Sequence, residues 1–221
     1  LAETGTAGLA RSVTYSYDDL YRMLSATAVD GATSLYTHAY TYSPTGNILT
    51  RNGVSYTYAA PTTTNPQAVT QIGSAALTYD ANGNRLTDGT RSFTWNYRNE
   101  LAGITDGANT FSYLYDHGGS RVRSESPTAT VYFTNKFYDV DDAAKKTMHL
   151  FLSDKPVGTI ESVGSTHTVR SIHPDYLGSV ALVTDDTGVL AQATDYFPYG
   201  DSRVSLGGYS DRRAFTGHVS D

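Results

Sequence analysis

In 221 residues, 18 tyrosines stand against 2 methionines, 1 tryptophan and no cysteine, a bias toward pleated sheet, because aromatic and β-branched side chains suit a half-buried strand surface. The 22 acids against 16 bases give a net charge of −6 with no Lys/Arg cluster, which argues against nucleic acid or an anionic membrane as partner. The lack of Cys excludes a disulfide framework and a thiolate metal site, and the longest clean apolar run, Val180 to Val183, is far short of a membrane span.

The chain opens on "LAETGTAGLARSV", which lacks the basic start and apolar stretch of a signal peptide, so the strip reads as begun before Leu1 and cut at Asp221. Its first five residues resemble a sortase pentapeptide with Ala in place of Pro, but at the wrong end of a chain for that signal.

A phrase then repeats: "YSYDDLYRML" (15–24), "YTYSPTGNIL" (40–49), "LTYDANGNRL" (77–86), "FTWNYRNEL" (93–101) and "YLYDHGGSRV" (113–122). Each places two aromatics at period two (Leu77 and Tyr79 in the third), then turn-forming residues, then an aliphatic, which predicts a β-hairpin. The turns are expected near 19–22, 44–47, 81–84, 97–99 and 117–120. Tyr17 to Leu24, Tyr42 to Leu49, Tyr79 to Leu86 and Tyr115 to Val122 are each seven residues apart. Trp95 to Leu101 is six, which reads as a shorter unit. Gly46, Gly83 and Gly119 fall fourth after the aromatic, where positive φ is needed, with Asn99 in the Trp95 unit and Tyr21 as the exception. The ring pairs Tyr15/Tyr17, Tyr40/Tyr42, Tyr56/Tyr58, Phe93/Trp95 and Tyr113/Tyr115 are expected on one face, packed as ladders between hairpins. Stacking on a sugar is the competing use of such rings.

Between the second and third phrases, "AAPTTTNPQAVTQIGSAA" (59–76) suits an exposed connection more than a strand. Further on, "DVDDAAKK" (139–146) lacks the Gly and closing Glu of a calcium loop and reads as a solvated turn or helix start. "TDDTG" (184–188) reads as a hairpin turn. The six His show no ligand spacing, and no Ser sits in a Gly-x-Ser-x-Gly elbow. His173 and Asp175 leave two readings, an imidazole held by a carboxylate or a structural hydrogen bond fixing the loop before "YLGS", of which the second is favoured.

The phrases "YSYDDLYRMLSAT", "YDANGNRLTDG" and "YDHGGSRVRSE" resemble the tyrosine-aspartate (YD) repeats of bacterial Rhs proteins. "IHPDYLGSVALVTDDTGVLAQATDYFPYGD", Ile172 to Asp201, is similar to the opening of the core segment that closes Rhs repeat arrays. Tyr176 stands where that family often has His, and "YFPYG" varies its last phrase. "FTGH", Phe215 to His218, matches the next phrase, with Val219 where an acid is common. The resemblance implies a strip of β-hairpins wound into a hollow cocoon, as in the C component of insecticidal toxin complexes and the teneurin ectodomains. In the bacterial toxins the cocoon encloses a C-terminal toxic domain, and the protease residues that release it would lie beyond Asp221.

The expected fold is therefore all-β, a YD-repeat hairpin strip forming part of a hollow shell. Residues 1–126 are the repeat array, 127–171 further strands with an acidic loop, and 172–221 the start of the core segment. The repeat residues are Tyr17, Asp18, Tyr42, Gly46, Tyr79, Asp80, Gly83, Trp95, Tyr115, Asp116 and Gly119, and those of the core segment are His173, Asp175, Leu177, Gly178, Ser179, Tyr196, Pro198 and Gly200. No catalytic, cofactor or metal residue is expected. The function is structural, a shell segment of an exported or surface-bound bacterial toxin or surface protein, and the alternative is a carbohydrate-binding adhesion module. Expected partners, through open strand edges, are the rest of the polypeptide or neighbouring copies, with an enclosed toxin domain.

Overall fold

The structure, a computed structural model, describes residues 12 to 209 and 211 to 218. The pentapeptide at 1–5, Val219 and Asp221 lie outside the described residues. The chain divides into two compact units, one within Arg11–Thr130 and one that takes in Val131–Asp221.

In the first unit, β1 (Ser12–Tyr17), β2 (Met23–Asp30), β3 (Thr33–Tyr42), β4 (Ile48–Arg51), β5 (Val54–Tyr58), β6 (Val69–Ile72) and β7 (Ala75–Ala76) form a sheet in sequence order. A second run follows in the same manner: β8 (Thr78–Tyr79), β9 (Arg85–Thr87), β10 (Arg91–Trp95), β11 (Leu101–Asp106), β12 (Asn109–Tyr115) and β13 (Arg121–Glu125). Within each run every strand is antiparallel to the next, the order that hairpins impose, and β7 and β8 belong to separate sheets. The first aromatic of each pair is the buried one in three cases: Tyr40 is 2% exposed, and Phe93 and Tyr113 are also buried. Tyr15 and Tyr17 are exposed, so the ladder expected of all five pairs does not extend to the first.

The segment at 59–76 is a connection only in part. Gln71 pairs with Ala76 and Ile72 with Ala75 around Gly73-Ser74, whose glycine takes φ 58°. The β-branched Val69, Thr70 and Ile72 favour strand, and a two-residue loop beginning with Gly suits a tight hairpin. The Thr and Pro content of the first ten residues had masked this hairpin.

The second unit contains β14 (Thr130–Asn135), β15 (Tyr138–Asp141), β16 (Lys146–Leu152), β17 (Lys155–Val163), β18 (Thr166–Pro174), β19 (Val180–Asp185), β20 (Leu190–Tyr196) and β21 (Ser202–Leu206), again antiparallel in sequence order. Its apolar centre is Ile172, Val180 and Val183, with Ala191 and Tyr209 packed against it. After β21 the chain turns back across this sheet. The turn passes so close to β20 that a Cβ on Gly207 would lie 2.0 Å from the Ala191 carbonyl oxygen, a place only glycine fills.

Candidate functional site

Among the described residues, nine hairpin turns share one geometry. In the first, Asp18 donates its N–H to the Arg22 carbonyl at 3.0 Å, and Tyr21 donates to the Asp18 carbonyl at 3.0 Å. The same pair of bonds closes the turns at 43–47, 80–84, 96–100, 116–120, 141–145, 175–179, 185–189 and 197–201. The fourth residue of each is left-handed: Tyr21, Gly46, Gly83, Asn99, Gly119, Ala144, Gly178, Gly188 and Gly200 all have positive φ. This is the three-residue hairpin loop with a bulge. Tyr21 is therefore no exception in backbone, only in residue type.

The register explains the offset seen in the sequence. Tyr17 pairs with Met23, Tyr42 with Ile48, Tyr79 with Arg85, Trp95 with Leu101 and Tyr115 with Arg121, each immediately after a register shift. The Trp95 unit is thus not shorter. The paired residue lies six beyond the aromatic in all five, and the aliphatic at seven is its neighbour on the strand.

The Asp of the repeat closes the turn. Asp18 Oδ1 accepts the N–H groups of Leu20 and Arg22, both at 2.9 Å. Asp80 Oδ1 accepts Asn82 at 2.9 Å and Asn84 at 2.8 Å, and Asp116 Oδ1 accepts Gly118 at 2.8 Å and Ser120 at 2.9 Å. Asn96 does the same with its amide oxygen toward Arg98 and Glu100. These bonds favour the ionised carboxylate and hold three acids below the usual range: Asp18 chiefly through the Arg22 N–H, Asp80 through the Asn84 side chain, and Asp116 through the Ser120 N–H.

The core-segment residues fall into this scheme. Asp175 Oδ1 accepts Leu177 at 2.9 Å and Ser179 at 2.8 Å, with Gly178 as the left-handed residue, while His173 Nε2 lies 3.2 Å from Thr184 Oγ1. The acid is thus engaged by its own turn and the imidazole by Thr184. Gly200 is the left-handed residue of the turn containing Pro198, and Tyr196 donates its hydroxyl to the Val180 carbonyl at 2.9 Å. Asp185, in the expected hairpin at 184–188, accepts Thr187 and Val189.

In five units the last aromatic before the turn or loop ties its hairpin to the one before. Tyr42 donates to the Met23 carbonyl at 2.7 Å, Tyr58 to Ile48 at 2.8 Å, Tyr79 to Val69 at 2.8 Å, Trp95 Nε1 to Arg85 at 2.8 Å and Tyr115 to Leu101 at 3.0 Å. Each acceptor is the residue that pairs with the preceding turn aromatic. The turns are also linked: Arg22 donates to the Ser43 carbonyl, Asn82 and Asn84 to Asn99 Oδ1, and Arg98 to the Asp116 carbonyl.

Sequence reasoning missed a polar cluster in the second unit. Asp139, expected in a solvated turn, is buried, because the turn begins two residues later at Asp141. His149 Nε2 lies 2.7 Å from Asp139 Oδ2, and Arg212 donates to Asp139 Oδ1 at 3.2 Å. The returning segment also seats Asp211, whose N–H donates to Gln192 Oε1 at 2.8 Å, and Phe215, 5.6 Å from the Tyr196 ring. Arg213 lies in a cavity of about 380 Å³. Among the described residues, no group of three or more His, Asp or Glu is placed to hold a metal.

Repeated bulged hairpins, several of them bonded to their predecessors through an aromatic donor, define a linear β-repeat protein. The chain belongs to the Teneurin YD-shell family, whose model matches residues 3–206, as its resemblance to Rhs repeats implied. It is 27% identical over 198 residues to a tRNA3(Ser)-specific nuclease WapA of Bacillus spizizenii, covering 84% of this chain and 8% of that protein. It is 31% identical over 132 residues to the tRNA nuclease WapA of Bacillus subtilis, covering 57% of this chain and 5% of the relative. A crystal structure of TcdB2-TccC3-Cdc42 aligns with 98% of this chain and 14% of its own, with TM-score 0.74 and 17% identity. A Photorhabdus luminescens Tc holotoxin pore structure aligns with 98% and 13%, with TM-score 0.69 and 18% identity. The chain thus spans a small fraction of each relative's length and shares the all-β shell fold.

Proposed function

We propose that this chain is a stretch of shell wall in a bacterial Rhs-type toxin or surface protein, which encloses or presents another polypeptide segment and does no chemistry itself. The observation that carries the reading is the chain of aromatic donors. Each hairpin is bonded chiefly to its sequence neighbour, so wall area grows in one dimension as hairpins are added. Residues 172–221 would open the segment that closes the array. The outer strands β1 and β21 would pair with the rest of the polypeptide or with neighbouring copies, and the whole would act outside the cell that makes it. The nuclease names of the WapA relatives then belong to parts of those proteins beyond the wall. Limited trypsin digestion of the whole protein tests enclosure. A segment outside the repeats should resist cleavage until the wall unfolds, and its digestion at the rate of free peptide under native conditions would reject the reading.

A second reading, carbohydrate binding, rests on Tyr97, 93% exposed, with Tyr21 and Tyr176 also exposed at hairpin turns. A glycan array separates the two, since binding lost in Tyr97→Ala favours adhesion.

A further inference from the structure

The cavity beside Arg213 lies within the second unit, between the returning segment and the loops that follow β14, β16 and β18. Lys136 and Lys155 line it, with Asp154 as the one carboxylate of the lining, and Phe151, Pro156 and Leu177 make it apolar on one side. In a chain of net charge −6, a cavity with three cations to one acid is a local inversion. Asp154 is nearly fully exposed and meets Lys136 at 3.4 Å, which is a solvated pair of little strength.

Arg213 is the second and independent observation. It is only 9% exposed. One terminal nitrogen donates to the Lys136 carbonyl at 3.3 Å, and the guanidinium sits 5.0 Å from the centre of the Phe151 ring. Its Nε–H is buried and donates to nothing in the protein. A buried donor without an acceptor is costly, more so on a charged group. Burial pushes the guanidinium's pKa down from its ordinary value, while the carboxylates of Asp211 and Asp139 oppose that shift. Neither acid supplies an acceptor to Nε: Asp211 Oδ1 accepts the Arg213 main-chain N–H at 2.7 Å, and Asp139 engages His149 and Arg212.

We propose that this cavity is an anion site for a carboxylate carried on an apolar body. The Arg213 guanidinium, whose own Nε–H lacks an acceptor, is the first cation of the site, Lys155 the second, and Phe151, Pro156 and Leu177 the wall for the apolar part. A guanidinium edge suits a planar carboxylate, and a volume of about 380 Å³ admits a group the size of an aromatic acid or an acidic side chain with its neighbours. The carboxylate could come from a free small acid or from an Asp or Glu of a polypeptide, and the test distinguishes the two.

The probes are phenylacetate, its neutral counterpart phenylacetamide, and the peptides N-acetyl-Phe-Asp-Phe-amide and N-acetyl-Phe-Asn-Phe-amide. They are titrated into the intact 221-residue chain while the Arg213 Nε–Hε resonance is followed by NMR. Phenylacetate or the Asp peptide should shift that resonance saturably, whereas the amide and the Asn peptide should not. If only phenylacetate acts, the ligand is a small acid; tighter binding of the Asp peptide makes it a polypeptide side chain. Arg213→Lys should abolish the carboxylate preference, and Lys155→Gln, on the exposed rim, should weaken binding about five-fold without touching the fold, which keeps the test open if Arg213→Lys does not fold. Two results would overturn the proposal: no shift with either carboxylate up to about 10 mM, or equal binding of the acid and its neutral counterpart.

Discussion

Trp95 donates its indole N–H to the Arg85 carbonyl at 2.8 Å, in the place where Tyr42, Tyr58, Tyr79 and Tyr115 donate a phenolic O–H. The position therefore requires a flat ring with a polar hydrogen at its far end, which Tyr and Trp supply and Phe does not. Phe93, by contrast, fills the first position of its pair, where the ring is buried and no such donor is called for.

Tyr115→Phe and Trp95→Phe should each lower stability by about 1 kcal/mol, the usual net worth of one hydrogen bond. Tyr40→Ala should cost about 3 to 5 kcal/mol, because it leaves a cavity. Urea unfolding of the three variants checks the ranking, and an unchanged Tyr115→Phe would remove the donor from the account of what joins the hairpins.

The turn cap predicts a different selectivity. Asn96→Ala removes an acceptor for two main-chain N–H groups and should cost about 1 kcal/mol. Asn96→Asp should be close to neutral, since Asp80 and Asp116 fill the same role. Equal losses in the two variants, read from denaturation midpoints, would contradict the capping account.

Acid should open the strip through these caps. Hydrogen bonds to their carboxylates hold Asp18, Asp80, Asp116 and Asp185 below the ordinary aspartate range, and Asp88 is brought to about 2, where burial that would raise it is outweighed by hydrogen bonds from Arg91. A depressed carboxylate contributes stability that is fully present above its unfolded pKa and is lost as pH falls through the folded one. Stability should hold from neutrality to about pH 4.5 and fall steeply between about pH 4 and 2. Circular dichroism across that range checks it, and a flat profile down to pH 2 would count against the caps.

The buried pair in the second unit predicts non-additivity. Asp139→Ala leaves His149 and Arg212 without their acceptor and should cost about 3 kcal/mol or more. The double variant Asp139→Leu/His149→Leu should be less destabilised than the sum of its parts, because two apolar groups replace a matched polar pair. Additive losses would show that the two side chains do not act as a pair.

The turns were legible because their chemistry is local: Asp80, Gly83 and the aromatic before them lie within five residues and act on one another's main chain. Those at 175–179 and 185–189 carry the same Asp-x-x-Gly signal; the second is legible as a hairpin turn, while the first is not, because Pro174 stands before it in place of an aromatic. The donor chain was not legible, since its acceptors are carbonyl oxygens that every residue has. Nor was the Asp139, His149 and Arg212 cluster, which depends on a register between two strands and on a residue 73 positions away.

An acceptor that any residue can provide also makes the hairpins interchangeable. The hydrogen bond from the ring of one hairpin reads no side chain in its predecessor, only a carbonyl opposite the preceding aromatic and just after a bulge. A gene encoding such a strip can therefore gain, lose or exchange whole hairpins, and the new junction is bonded as well as the old. Six residues separate ring from carbonyl in the short turns, but eleven separate Tyr58 from Val69, and Tyr79 still finds its acceptor there. What such a strip protects is thus the pairing of ring and acceptor across the bulge, and the loop between them is free to grow.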